Sequence, residues 1–377
     1  MIKKLYKSML IHDTNLQKDL VIKDVKKDNG SFVELAMNHL RGDFITKNVY
    51  IEIEFLKVRV TIELYIKSVD TTIRLDTFWP ESENIDKCLY RLIEDLYYTL
   101  CLIKNVFGKT LRKLHIKLFL TNLRKKYPIG LIKSNSAIEP EYVNSGYSYM
   151  RLSHDNDNDN TNALDNVDIV IYRKEEVLKV LKHEILHVIG VHESYYSIEY
   201  DEKLKERYNI ESRQRSGKLN LFEAYVEFFA LLLNTFIYTY LTRRYNDKGR
   251  EKEFLREFDI HIGNEIGKST KIVERMFKEC GIRRRNGQWS FETRLIENTN
   301  VFSYYIIKWC LLKDWKKTLK IFEGISDKYM INNSDNFNKY FEYVDYKLKV
   351  IDFKKLNLEY KKYPYNMDMR MSLYNML

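Results

Sequence analysis

The sequence of 377 residues predicts an α+β fold, in which a mixed sheet packs on one helix, with a β-rich segment before them and a helical region after. Three observations carry this. Short runs with alternating apolar side chains recur through the first half of the chain. A helical run at 175–190 follows directly on the last of them. From Glu251 onward the apolar spacing is helical. These shifts divide the chain into a β-rich N-terminal domain at 1–82, a core at 83–245 and a helical C-terminal region at 246–377.

Asn48–Phe55 and Val58–Ile66 alternate apolar and polar residues and read as a hairpin of half-buried strands turning near Leu56-Lys57, with Pro80 closing the segment. Ile85, Leu89, Leu92 and Leu96 recur at helical spacing, so a helix runs from Glu83 to about Val106 until Gly108 stops it. Leu114–Leu120 alternates again, and His115 within it reads as a surface or hydrogen-bonded histidine. Pro128 and Gly130 mark a turn, and Asn144–Met150 reads as a short strand entered through Gly146. The loop His154–Asn160 alternates Asp and Asn, but Asn160 and Asn166 stand where a calcium loop needs Gly and Glu, so a solvated hairpin loop is expected. Val167–Tyr172 is a strand leading straight into the 175–190 helix. Ile262–Ser269 ends in Gly-Lys-Ser, yet Ile262 occupies the place a phosphate loop gives to a small residue, which sets nucleotide binding aside. Trp309, Trp315, Phe322, Phe341 and Tyr346 supply packing surface to the C-terminal helices, and the last dozen residues read as loose.

Composition narrows the function classes. Hydrophobic residues make up 45% and charged ones 31%, a globular balance, and 13 Gly with 4 Pro leave little room for long linkers. The net charge of +10 admits an anionic partner. Yet the basic residues are spread out, and Arg124-Lys125-Lys126 and Arg283-Arg284-Arg285 match no base-reading motif, so nucleic acid is the lesser reading. Cys88, Cys101, Cys280 and Cys310 form no C-x-x-C pair, which points to reduced, buried thiols and not to a zinc knuckle. Met1–Asp13 has no signal-peptide apolar core. The longest apolar run, Phe228–Leu241, is short for a membrane span and is interrupted by Asn234, so it reads as a buried helix. A cytoplasmic location is expected.

In the 175–190 helix Leu178, Leu181, Ile185, Val188 and Ile189 form one stripe. His183 and His187, four apart, share a side roughly opposite it, and Glu184 sits next to them, about 100° around the axis. Two neutral imidazoles that bind Zn2+ and a carboxylate that takes a proton from metal-bound water are what zinc-dependent hydrolysis needs. A third protein ligand is required. An H-x-x-G-x-x-H continuation is half met: Gly190 is in place, but Glu193 stands for the third His, His192 comes one residue early, and no Met-turn methionine follows before Met276. His192 and Glu193 are therefore alternative ligands. The stronger candidate is in Leu221–Ala230, where Glu223 and Glu227 sit four apart in an apolar run that needs something cationic to meet buried carboxylates. The E-x-x-x-[DE] order favours Glu223 as ligand, with Glu227 accepting the ring N–H of a ligating histidine.

His183-Glu184-x-x-His187 followed by Glu223-x-x-x-Glu227 resembles the gluzincin branch of the zinc metallopeptidases. Leu120-Thr121, Lys125, Pro128, Val143-Asn144-Ser145-Gly146, Arg173-Lys174-Glu175-Glu176, Lys179-Val180 and Glu223-Ala224-Tyr225 resemble uncharacterised zincin-like proteins encoded by large DNA viruses, over roughly residues 110 to 240. The resemblance implies a zincin-like metal-binding core at 83–245. It implies a protein or peptide substrate hydrolysed by zinc-activated water with Glu184 as general base. The strand at 143–150 would be the cleft edge, to which an extended peptide adds as a further strand. Tyr147, Tyr149, Tyr195, His154 and His192 are the candidates for stabilising the oxyanion. Two other classes stand beside this one: a degraded zincin with a structural or interaction role in a viral particle, and a basic nucleic-acid-associated protein whose His-Glu-x-x-His is fortuitous.

Overall fold

A computed structural model describes residues 1–40, 45–81, 84–128, 136–150, 163–164, 166–191, 198–214, 217–243, 250–285, 287–326, 328–331, 333–356 and 366–374. Its frame is a mixed sheet of β1 (Leu20–Asn29), β2 (Leu56–Ile66), β3 (Thr71–Pro80), β4 (Lys113–Phe119), β5 (Gly146–Met150) and β6 (Val167–Ile171). They stand in the order β1-β2-β3-β4-β6-β5. β1, β2 and β3 form an antiparallel meander, β3, β4 and β6 are parallel, and β5 runs antiparallel to β6 at the sheet edge. The helices that matter for the site are α1 (Ile2–Asp19), α2 (Val33–His39), α3 (Lys47–Ile53), α4 (Ile85–Phe107), α5 (Val177–Val188), α6 (Ile198–Tyr208), α7 (Phe222–Arg243) and α8 (Glu251–Cys280). α4 is the crossover that the parallel pair β3 and β4 requires. Asn84 caps its start by accepting from the Lys87 amide, and Gly108, at φ +64°, ends it.

The N-terminal reading is corrected in two places. Asn48–Phe55 is not a strand: it is mostly α3, because Val49 and Ile53, four apart, are buried while Ile51 between them is 42% exposed. That is helical and not alternating burial. The partner of β2 is instead β1, and before β1 lies α1, whose Leu5, Tyr6, Met9 and Leu10 are buried. The strands of 1–82 join those of the core in one sheet through the β3–β4 pairing.

Strand alternation gives the sheet two faces. Ile62, Leu64, Ile73, Leu75, Leu114, Ile116, Leu118, Ile169 and Ile171 belong to the main apolar cluster, with residues of α1, α4, α5 and α7. Phe78, Phe119, Val170 and Tyr172 on the other face pack with α2 and α3. His115 lies on that second face, its Nε2 2.7 Å from Asp76 and its Nδ1 3.3 Å from Asp168, a hydrogen-bonded histidine.

α7 is longer than its apolar run at 228–241 suggests. It is the one helix among the described residues long and apolar enough to cross a membrane, and 94% of that stretch is buried inside the fold. Asn234 does not break it: its side chain is buried, accepting from Lys182 and donating to the Tyr374 carbonyl. The Gly-Lys-Ser run at 267–269 lies inside α8 and forms no loop. A short hairpin, Ile282–Arg285 with Gln288–Phe291, interrupts the helical C-terminal region. A π-helical turn, Phe302–Ile307, then runs into a helix at Lys308–Lys313. Trp309, Phe322 and Phe341 are core residues, whereas Tyr346 is 49% exposed. The end of the chain is not loose where it is described: Asn366–Asp368 pairs with Lys126–Pro128, and Met369, Met371 and Ser372 are buried.

Candidate metal centre

α5 leaves the end of β6 after a short turn. Glu176, in the left-handed region at φ +63°, starts it, and Gly190, at φ +64°, terminates it. It packs against β5, β6, α4 and α7, which surround it so fully that Lys179 and Lys182 are buried with its apolar stripe. Buried ammonium groups require partners. The Lys182 Nζ has Asp95 Oδ1 at 2.5 Å and Asn234 Oδ1 at 3.2 Å. The Lys179 Nζ has both oxygens of Glu227, at 2.7 and 3.0 Å.

The spacing of four on two antiparallel helices builds the site. Lys179, His183 and His187 form a row along α5, and Glu227 and Glu223 form the facing row on α7. The rows mesh. Glu227 Oε2 lies 2.9 Å from His183 Nδ1, and Glu223 Oε2 lies 3.4 Å from His183 Nε2 and 3.1 Å from His187 Nε2. The two Nε2 atoms are 2.9 Å apart. Glu227 accepts the Nδ1 proton of a neutral His183, which leaves Nε2 as a lone pair aimed at the centre.

The donor set fits a small divalent cation. One atom each from His183, His187 and Glu223 lies within 4.8 Å of the others. A tetrahedral ion with arms of about 2.0–2.1 Å places neighbouring ligands about 3.4 Å apart. The three observed edges of 2.9, 3.1 and 3.4 Å come near that triangle. Two nitrogens and one oxygen suit zinc, and leave a fourth direction to solvent or substrate. The electrostatics agree. Burial pulls His183 down, but the carboxylates of Glu223 and Glu227 outweigh it and raise the ring to about 9. The same field favours a cation at the centre, which would displace the Nε2 proton and leave the ring neutral. Burial pushes both carboxyls up, and their cationic neighbours still hold them well below the ordinary range, His187 and His183 for Glu223, Lys179 and His183 for Glu227.

Glu184 is 7% exposed and takes a hydrogen bond at its Oε2 from Ser148 Oγ, 2.9 Å away on β5. Alternation along β5 puts Ser148 on the α5 side and sends Tyr147 and Tyr149 to the other face. There the Tyr147 hydroxyl donates to the His39 carbonyl and its ring stacks on that of Tyr149. Neither tyrosine is therefore placed to stabilise an oxyanion, and Tyr304 stands where they were expected. Its ring is 5.9 Å from that of His183, and it lines a cavity shared with His183, Glu184 and Glu227. Burial first, and then the charges of Glu223, Glu184 and Glu227, hold its phenol well above the ordinary range, so it stays a hydrogen-bond donor. His154, His192, Glu193 and Tyr195 lie outside the described residues.

A second group, His12, Asp19 and Cys101, is close enough to hold an ion. Its partners are already internal. Asp19 accepts from the Ser68 amide and hydroxyl and from Tyr97, and burial pushes the Cys101 thiol up to about 12. That set reads as a junction between α1, α4 and the β2–β3 turn.

Compared with protein-family models, curated proteins and solved structures, the chain finds no match.

The sequence assigns no role to Lys179, Ser148 or Tyr304. Two of them carry a signal. Lys179 is four residues before His183, in step with the Glu223–Glu227 spacing, and Ser148 is an even step from Gly146 along a strand. Tyr304 has no local mark among 29 tyrosines, since only long-range packing of the π-helical turn on α7 brings it in.

Proposed function

We propose that this chain is a zinc-dependent peptidase with a zincin-like core, its metal held by His183, His187 and Glu223. What supports the reading is the convergence of those three donor atoms beside a carboxylate, Glu184, that none of them engages in the described contacts. When bound, zinc supplies Lewis acidity towards a carbonyl oxygen and acidifies water towards a pKa of about 7. The protein groups supply the rest. Glu184 accepts the proton of the attacking water and returns it to the leaving amine. Ser148 fixes the Glu184 carboxylate by its Oε2, so that one oxygen is held and the other is directed to the water. Tyr304 donates a hydrogen bond to the oxygen that gains charge. Among the described residues β5 has β6 on one side only, and its other backbone edge accepts an extended peptide as an added strand.

Metal analysis beside peptide cleavage tests this. Wild-type protein should carry one zinc per chain and cleave, His187→Ala and Glu223→Ala should lose the metal, and Glu184→Gln should keep it and be inactive. Wild-type zinc content in Glu223→Ala would remove the third ligand, and full activity in Glu184→Gln would remove the general base.

A further inference from the structure

A cavity of about 60 Å³ opens beside Glu184. It is the cavity that Tyr304 and Glu227 line, and its other walls come from the segment entering β5, from α5, from Lys125 and from Met371 near the end of the chain. A water-sized probe takes about 10–15 Å³, so the space matches a side chain of about four to six heavy atoms, short of a phenylalanine. The lining is polar on one side. Ser145 lines the cavity, is 4% exposed, and its Oγ has no hydrogen-bond partner among the described residues. A buried hydroxyl left unpaired is costly, and a ligand group in the cavity is what can meet it. Lys125 and Lys179 line the same space, each balanced by one carboxylate: Lys125 by Glu176 at 3.0 Å and Lys179 by Glu227 at 2.7 Å. An ammonium carries three N–H donors. Lys179 directs its own to the two Glu227 oxygens and to Met371 Sδ, whereas Lys125 retains capacity to donate. Val180 and Met371 complete the wall with apolar surface.

We propose that this cavity, resting on the peptidase reading above, is the specificity pocket for a residue flanking the cleaved bond, and that it selects a small side chain ending in a hydrogen-bond acceptor: serine, threonine, asparagine or aspartate. Ser145 and Lys125 donate to that acceptor, which leucine, of similar size, lacks. Met371 sets the depth and keeps out phenylalanine and larger groups.

The test is a peptide library randomised on both sides of the bond. Zinc-loaded wild-type protein digests it, and zinc-loaded Glu184→Gln is scored for peptides retained without turnover. Small acceptor-bearing residues should be favoured over leucine and phenylalanine by about tenfold or more at one flanking position, in cleavage and in retention alike, as expected of a site built around hydrogen bonds. Ser145→Ala should cut that preference severalfold. Met371→Ala should admit phenylalanine. Zinc content and melting temperature confirm that both variants fold. Cleavage with apolar preference or none at either flanking position, or a preference unmoved in Ser145→Ala, overturns the pocket and leaves the peptidase standing. Neither cleavage nor retention of any library member by zinc-loaded protein overturns both.

Discussion

Glu227 touches no reacting group, yet it joins the positive and imidazole halves of the site, with Lys179 on one oxygen at 2.7 Å and His183 Nδ1 on the other at 2.9 Å. Outer partners of metal-ligating histidines are worth about 10–100-fold in metal affinity. Glu227→Gln should therefore lower zinc affinity by about that factor, measured by competition with a chromophoric chelator, while His183 remains in place. Unchanged affinity would show that Glu227 serves Lys179 alone. Tyr304→Phe separates binding from chemistry. Zinc content should hold and kcat should fall by about 10²-fold with little change in KM, the size of effect seen when one donor to a developing oxyanion is removed. An equal loss through KM would make Tyr304 a substrate contact instead.

At the level of elements, α5 is a helix buried on nearly all sides that carries two lysines, and each is tied to a neighbouring helix. Lys182→Met strands the Asp95 carboxylate with 1% exposure and should destabilise the protein by about 3–5 kcal/mol, measured by urea unfolding. The pair Lys182→Met with Asp95→Leu should recover most of that loss. Failure of the double variant to recover would mean that Lys182 acts through packing of its stem. The same helix shows what the sequence could and could not reveal. Its two histidines, its apolar stripe and the strand before it were readable because hydrophobic period is local. Residues 48–55 were misread because Val49, Ile51 and Ile53 satisfy an alternating pattern while Val49 and Ile53 also satisfy a helical one. The contest was decided far away, by β1 occupying the place beside β2. That Tyr147 and Tyr149 turn away from the side of the sheet that carries His183 and Glu184 follows from strand parity, legible only once the face carrying Ser148 is known.

For the molecule as a whole, the last described segment closes the core behind the site. Ser372 donates to Glu265 at 2.8 Å, and the Leu373 amide does the same. Burial pushes Glu265 up to about 7, against an ordinary 4.5, despite these bonds and the Lys308 ammonium. A carboxyl that holds its proton more tightly when folded contributes stability fully present below pH 4.5 and lost as pH rises through about 7. Between those limits the loss is about 3 kcal/mol. Wild-type protein should thus melt lower at pH 8 than at pH 5 by a margin that Glu265→Gln reduces, read by calorimetry at both pH values. An equal margin in the variant would place the pH dependence elsewhere. The rungs between α5 and α7 have their own bearing on the whole. Apolar helix surfaces tolerate sliding by one turn, about 5.4 Å, but such a slip would set Lys179 beyond the reach of Glu227 and leave one acid facing hydrocarbon. The alternation of ammonium, carboxylate and imidazole thus works as a vernier that admits a single alignment of the two helices. Because its Lys179 rung needs no metal, the receptor is already shaped when a cation arrives, and capture should proceed as fast docking with no folding step to wait for.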